Sequence, residues 1–177
     1  WYPNVQIDFH EMGKDSTYYF EPSPASMHSP LLPASSYAFN KTLAKYHAQA
    51  LDALGSLYYT GENFDNFSPV YGSTYPDFHG AVGVTVEQAS SRGRVQESVN
   101  GPLTFPFTIR NQVATGLGTI RGAVTERDGL LKLQKDFFQS ALKQAGQQPV
   151  KAFVFGDAHD PGLSLIHISE PTRRYAI

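Results

Sequence analysis

Two side chains with acid–base chemistry, His10 and Glu87, each sit near the end of a stretch that reads as a β-strand, 77 positions apart (87 − 10). In VQIDFHEMG, Val5, Ile7 and Phe9 alternate with Gln6, Asp8 and His10, the period of two expected of a strand, and Gly13 lets the chain turn away after Met12. His10 is thus placed at a strand end, where open α/β sheets gather chemistry because side chains at the carboxyl edge project into a crevice built by loops. Asp8, two positions earlier, shares that face and is close enough to orient the imidazole. In GAVGVTVEQASSRG, the almost continuous run Ala81, Val82, Val84 and Val86 has the composition of a strand buried on both faces, and it finishes on Glu87. A carboxylate there is costly unless it is paired or has work to do. The plain structural alternatives are a strand-end histidine bonded to a neighbour and a Glu87 ion pair with Arg92 or Arg94.

The elements that must position these residues follow from patterning. Lys14 to Ser36 carries Pro22, Pro24, Pro30 and Pro33 too close together for a helix or an inner strand, so a long loop is expected, with His28 inside it and assigned no ligand role. A helix is expected from a cap at Ser35 or Ser36 to about Leu54, with Phe39, Leu43, Tyr46, Ala50, Leu51 and Leu54 at helical spacing and Gly55 ending it. His47 lies on it and has Ala50 and Leu51 at i+3 and i+4, so a packing or surface role is expected rather than metal ligation. Ser56 to His79 is rich in Tyr, Asn, Asp, Gly and Pro, and its rings from Tyr58 to Phe78 are too irregular for one amphipathic element. They either pack beneath a long loop or line a pocket. Gly101 to Pro106 reads as a turn, with Pro106 suited to the first helical position. The apolar face Phe107, Val113, Leu117, Ile120 and Val124 continues through Leu130, Leu131, Leu133, Phe137, Phe138, Ala141 and Leu142 to Gly146. It predicts one long helix, or two broken near Asp128-Gly129, covering a sheet face. Pro149 ends the pattern, and Lys151 to Asp157 reads as a further strand.

Composition narrows the function classes. A chain of 177 residues with 41% hydrophobic and 17% charged residues has material for a real core. A net charge of −2 without basic runs argues against a nucleic-acid or anionic-membrane partner, and no apolar run approaches the roughly 20 residues of a membrane span. With no cysteine, disulfides and thiolate metal sites are excluded, so any zinc would need His and carboxylate ligands.

DFHEMG with its strand-end His, the Tyr-rich loop with YGSTYPD, and GAVGVTVEQASSRG with its terminal Glu together resemble the M14 family of zinc carboxypeptidases, in a bacterial branch of large members. The resemblance spans roughly Val5 to Ala123. It implies a mixed β-sheet flanked by helices, an α/β fold, and hydrolysis of a peptide or peptide-like amide at a C-terminus by metal-activated water. It matches His10 to the later of the family's zinc-ligand histidines and Glu87 to its catalytic general base. It makes Tyr71 the candidate for the substrate-binding tyrosine of the preceding loop, with Phe67 and Ser68 as rival positions. Asp8 is the candidate for orienting His10 from behind, and Glu11 is a second. The family's usual export implies a periplasmic or secreted setting.

The sequence departs from the family in holding no His-x-x-Glu pair and no Asn-Arg pair before His10. The remaining zinc ligands and the carboxylate clamp are therefore expected upstream; Arg92 and Arg110 are read as structural rather than as substitutes for the clamp. Opening on Trp1-Tyr2-Pro3 without Met, the chain is read as part of a longer protein and as inactive by itself. Residues 1–148 are read as the C-terminal portion of a catalytic domain and 149–162 as the start of a following element. Residues 163–177, with LSLIHISEPTR, resemble a translated sequencing adapter, so His167 carries no weight. The rival class is a noncatalytic module that binds a peptide or glycan through the aromatic loop 58–78.

Overall fold

A computed structural model describes residues 2–152 and 157–162. The alternating stretch forms β1 (Val5–Met12), and the Val-rich stretch forms β3 (Val82–Ala89). The two run parallel, and β2 (Tyr18–Phe20) pairs antiparallel with the other side of β3, giving the order β1-β3-β2. β3 is the central strand and is buried on both faces, as its composition requires. The architecture is α/β, a small mixed sheet with helices. Among the described residues no helix is long and apolar enough to cross a membrane.

β2 corrects the expectation of a structureless Lys14–Ser36 loop. Tyr18, Tyr19 and Phe20 precede the first proline and are at most 1% exposed, so three residues suffice to cover one edge of β3 before the cis Glu21-Pro22 bond turns the chain away. A single 3-10 turn at Ala25–Met27 follows.

Helix α1 (Ala34–Asp52) starts two or three residues earlier than a Ser35 or Ser36 cap implies. Pro33 takes the N-cap position, no side chain caps the end, and Ser36 is buried inside the helix. Leu43 and Leu51 join Tyr18, Phe20, Val82, Val84, Val86 and Leu130 in the core. His47 is fully buried, with Nε2 2.8 Å from Thr119 Oγ1, and burial lowers its pKa to about 4. It is a neutral packing residue.

The segment read as a turn at Gly101–Pro106 is instead half of a hairpin, β4 (Val95–Ser98) with β5 (Gly101–Thr104). Gly101 has φ +94°, a conformation open to glycine, which lets the chain reverse after Asn100. Helix α2 (Phe105–Thr125) then begins with Pro106 in its first turn. It is separate from α3 (Arg127–Gln147), the junction lying at Glu126 rather than at Asp128-Gly129.

The orientation of α2 overturns the amphipathic reading. Val113, Leu117, Ile120 and Val124 are 50–70% exposed, while Thr108, Asn111, Thr115, Gly118, Thr119 and Gly122 face inward. Small residues win that face because α1 approaches closely: a Cβ on Gly118 would lie 2.9 Å from the Tyr46 carbonyl oxygen. The threonine hydroxyls are satisfied by helix carbonyls, Thr115 by Asn111 and Thr119 by Thr115, so burying them is cheap. Tyr18 Oη, buried on the same side, lies 2.6 Å from both Gln112 Oε1 and Thr115 Oγ1.

A compact unit ends at Gln139, and the residues from Ser140 onward form a second unit. In the latter, the last turns of α3 give way to coil, where Lys151 Nζ donates to the Gly146 carbonyl at 2.7 Å. Lys151 and Ala152 are not in a strand; the rest of the strand expected at 151–157 falls mainly on residues outside those described, as does the whole 163–177 tail.

Candidate active site

The parallel register of β1 and β3 makes His10 the direct Cα partner of Glu87, and Asp8 that of Thr85. Side chains alternate across a sheet, so Asp8 and His10 on β1 and Thr85 and Glu87 on β3 share one face. On the other side of β3, Tyr19 is the partner of Glu87. One row therefore runs His10, Glu87, Tyr19 across three strands near the carboxyl ends of the parallel pair. Just beyond those ends, Glu11 to Ser16 on one side and Ser90, Arg92 and Gln96 on the other line a groove of about 750 Å³.

His10 Nε2 lies 3.0 Å from Asp8 Oδ2. That contact orients the ring through Nε2 and leaves Nδ1 with no hydrogen bond among the described residues. The hydrogen bond from Asp8 raises the His10 pKa above its usual value against a partial loss of hydration, and the charges of Asp8 and Glu87 add to the rise. Glu11 is the alternative that drops out: its carboxylate accepts from Ser90 Oγ at 2.9 Å, away from the imidazole.

Glu87 is 8% exposed, and no ion pair joins it to Arg92 or Arg94 among the described residues. The plain reading of a buried salt bridge therefore fails. Burial raises its pKa, the nearby His10 opposes the rise and Asp8 adds to it. A buried carboxyl whose proton affinity is raised, beside an imidazole, is suited to general acid–base work.

Tyr71 lies on the segment that covers this face. Its ring is 42% exposed, and its phenol makes no hydrogen bond to His10 or Glu87. The neighbouring Gly72 is pressed on the site: Gln6 Nε2 donates to its carbonyl at 2.8 Å, and a Cβ there would lie 2.4 Å from Asp8 Oδ2. The structure thus brings Asp8, His10 and Glu87 together and leaves Tyr71 at the rim.

No family model, curated protein or solved structure matches this chain. The site is read from its own geometry. Among the described residues no group of three His, Cys, Asp or Glu side chains could hold a metal ion; the site has one imidazole, His10, bonded to Asp8, with Glu87 beside it in register.

The aromatic loop divides. Tyr59 and Phe64 pack on Tyr19 at 5.3 and 4.6 Å between ring centroids, and Tyr58 packs on Phe20 at 5.1 Å, so these rings are internal. Phe67, Tyr71 and Tyr75 remain exposed. His28 stacks on Tyr37 at 3.6 Å, a packing role. Arg110 donates to Ser56 Oγ at 2.9 Å and sits over the Phe107 ring, which makes it structural. Residue reading alone missed Tyr19 and Thr85 as members of the site face. Their only signal was the alternation within STYYFEP and VGVTVE, which becomes informative once the strand register is known.

Proposed function

We propose that this chain is the C-terminal part of the catalytic domain of a zinc metallocarboxypeptidase of the M14 type, acting on the C-terminal amide bond of a peptide or peptide-like substrate. The observation that carries the reading is the pairing of His10 with Glu87 on adjacent parallel strands, at the sheet edge where the family places a ligand and a base. Zinc held by three protein ligands with an open position supplies Lewis acidity and lowers the pKa of bound water. The residues fit one share of that site: His10 would hold the ion through Nδ1 while Asp8 holds Nε2. The other two ligands are expected from sequence before Trp1.

Glu87 takes the proton of the attacking water and returns it to the leaving amine, the role suited to a carboxyl whose proton affinity burial has raised. The groove between Glu11–Ser16 and Ser90–Gln96 is the place for the substrate chain, and the exposed ring of Tyr71 stands at the rim to meet it.

The test uses the longer product recovered from the source DNA, assayed on matched peptides with a free or an amidated C-terminus. Release of the last residue from the free acid alone is expected. Equal cleavage of both, or of neither, would reject the carboxypeptidase assignment.

A further inference from the structure

A second polar cluster lies on the same face of the sheet, two rows from Glu87 and wholly enclosed. Glu21 follows β2 and is 0% exposed; Asp77, in the 3-10 turn Tyr75–His79, is 2% exposed. They reach nearby positions of β3, Glu21 at Thr85 and Asp77 at Gly83. The Glu21 amide donates to the Thr85 carbonyl at 3.1 Å, and Asp77 Oδ1 accepts from the Gly83 amide at 3.3 Å. Asn40 of α1 donates through Nδ2 to Glu21 Oε2 at 2.8 Å and to the Gly83 carbonyl at 3.0 Å. Asn66 Nδ2 reaches the same Oε2 at 3.5 Å.

Among the described residues neither carboxyl has an ion-pair partner. Glu21 Oε1, Asn40 Oδ1 and Asn66 Oδ1 are buried without hydrogen bonds, and so are the hydroxyls of Tyr19, Ser23 and Thr74. The groups acting on the two acids from the surrounding elements are Asn40 and Tyr37 of α1, Asn66 of the loop, Thr85 and Gly83 of β3, Tyr19 of β2 and the acids themselves, with Glu87 further along β3. None is a cation. Ionising either carboxyl would therefore bury a charge with no partner of opposite sign.

We propose that Glu21 and Asp77 are held as neutral acids that latch the 66–79 segment onto β3, making both positioning residues for the face that carries Asp8, His10 and Glu87. The inference rests on the fold and stands apart from the carboxypeptidase reading, because the latch is needed whatever the face does. In agreement, burial together with Asp77 pushes the Glu21 pKa up to about 8, and burial pushes that of Asp77 up to about 7. The sign follows from linkage. Acids that hold protons more tightly when folded contribute fully below the ordinary carboxyl range and lose that contribution as pH rises through about 7 and about 8.

The experiment compares this chain with Glu21→Gln and Asp77→Asn by thermal midpoint from about pH 5 to about pH 9, with amide exchange of residues 71–83 at the two ends. Glu21→Gln, neutral and of the same shape, is expected within about 2 °C of wild type at acid pH and about 5 °C or more above it at alkaline pH. Wild-type protection at 71–83 should fall at alkaline pH beyond the change in intrinsic rate, and the variant's should not. Asp77→Asn should shift the profile in the same direction, and it carries the test if Glu21→Gln fails to fold. A variant deficit that is constant or grows with pH overturns the proposal. So does a wild-type midpoint raised by millimolar calcium and insensitive to it in Glu21→Gln, because the acids would then be ionised ligands of a cation.

Discussion

Replacing Gly83 with Ala tests the contact on which the whole site face depends. Gly83 lies in the middle of β3 with the 71–79 segment stacked on it, and a Cβ built there would be 1.5 Å from the Ser73 carbonyl oxygen and 2.5 Å from its carbon. Backbone, unlike a side-chain tip, cannot rotate away. The two segments must separate by about 1.5 Å merely to restore a 3.0 Å approach. Two buried hydrogen bonds meet at this residue, its amide to Asp77 and its carbonyl from Asn40. Overpacking costs about 1–3 kcal/mol, and a buried polar group left unpaired costs about 1–3 kcal/mol more, so Gly83→Ala should lose roughly 2–6 kcal/mol. That is a large share of the 5–15 kcal/mol typical of a domain. Urea unfolding followed by far-UV circular dichroism gives the midpoint, with Gly13→Ala as the control because nothing lies within 4 Å of a Cβ there. A Gly83→Ala loss under about 1 kcal/mol would mean that the YGST segment does not rest on β3, and the placement of Gly72 against Asp8 would fall with it.

Other consequences are equally direct. His47 is neutral and buried with its pKa lowered to about 4, so its contribution is complete above its ordinary value of 6.5 and is lost as pH falls toward 4. The loss should be on the order of 3 kcal/mol, read as the difference between wild type and His47→Gln in urea titrations from neutral to acid pH; parallel pH profiles would count against a buried neutral imidazole. Tyr18→Phe removes a hydroxyl bonded to Gln112 and Thr115, while Thr115 keeps its bond to the Asn111 carbonyl, so the cost is about 0.5–1.5 kcal/mol by the same assay. Ile120→Ser, on the exposed stripe of α2, should change stability of this chain by less than about 0.5 kcal/mol, and a larger loss would show that the stripe is packed after all.

Much of the site was legible in the residues because it rests on local alternation. Val5 to Met12 had to be a strand with Asp8 and His10 on one face, and the Val run before Glu87 had to be an inner strand. What local patterning cannot give is register across 77 positions, and it is register that turns two strand ends into one site. β2 escaped notice because prolines on its far side dominate the stretch, although three buried residues are enough to pair an edge. α2 misled for a different reason: its apolar stripe is real, but glycines and threonines on the opposite side permit the closer contact with α1, and tertiary approach overrode amphipathicity. The buried acids Glu21 and Asp77 gave no sequence signal, since each looks like an ordinary loop carboxylate until the segment around it is seen to be enclosed.

The central claim is that His10 and Glu87 act together with different duties, and one comparison separates them. In the longer gene product, zinc content by plasma mass spectrometry and release of a C-terminal residue are measured side by side for wild type, His10→Ala and Glu87→Gln. The account predicts that His10→Ala loses both metal and hydrolysis, whereas Glu87→Gln keeps the metal and loses hydrolysis. If both variants retain metal and activity, the paired strands carry no zinc-peptidase site, and the exposed rings Phe67, Tyr71 and Tyr75 become the surface to probe for ligand binding.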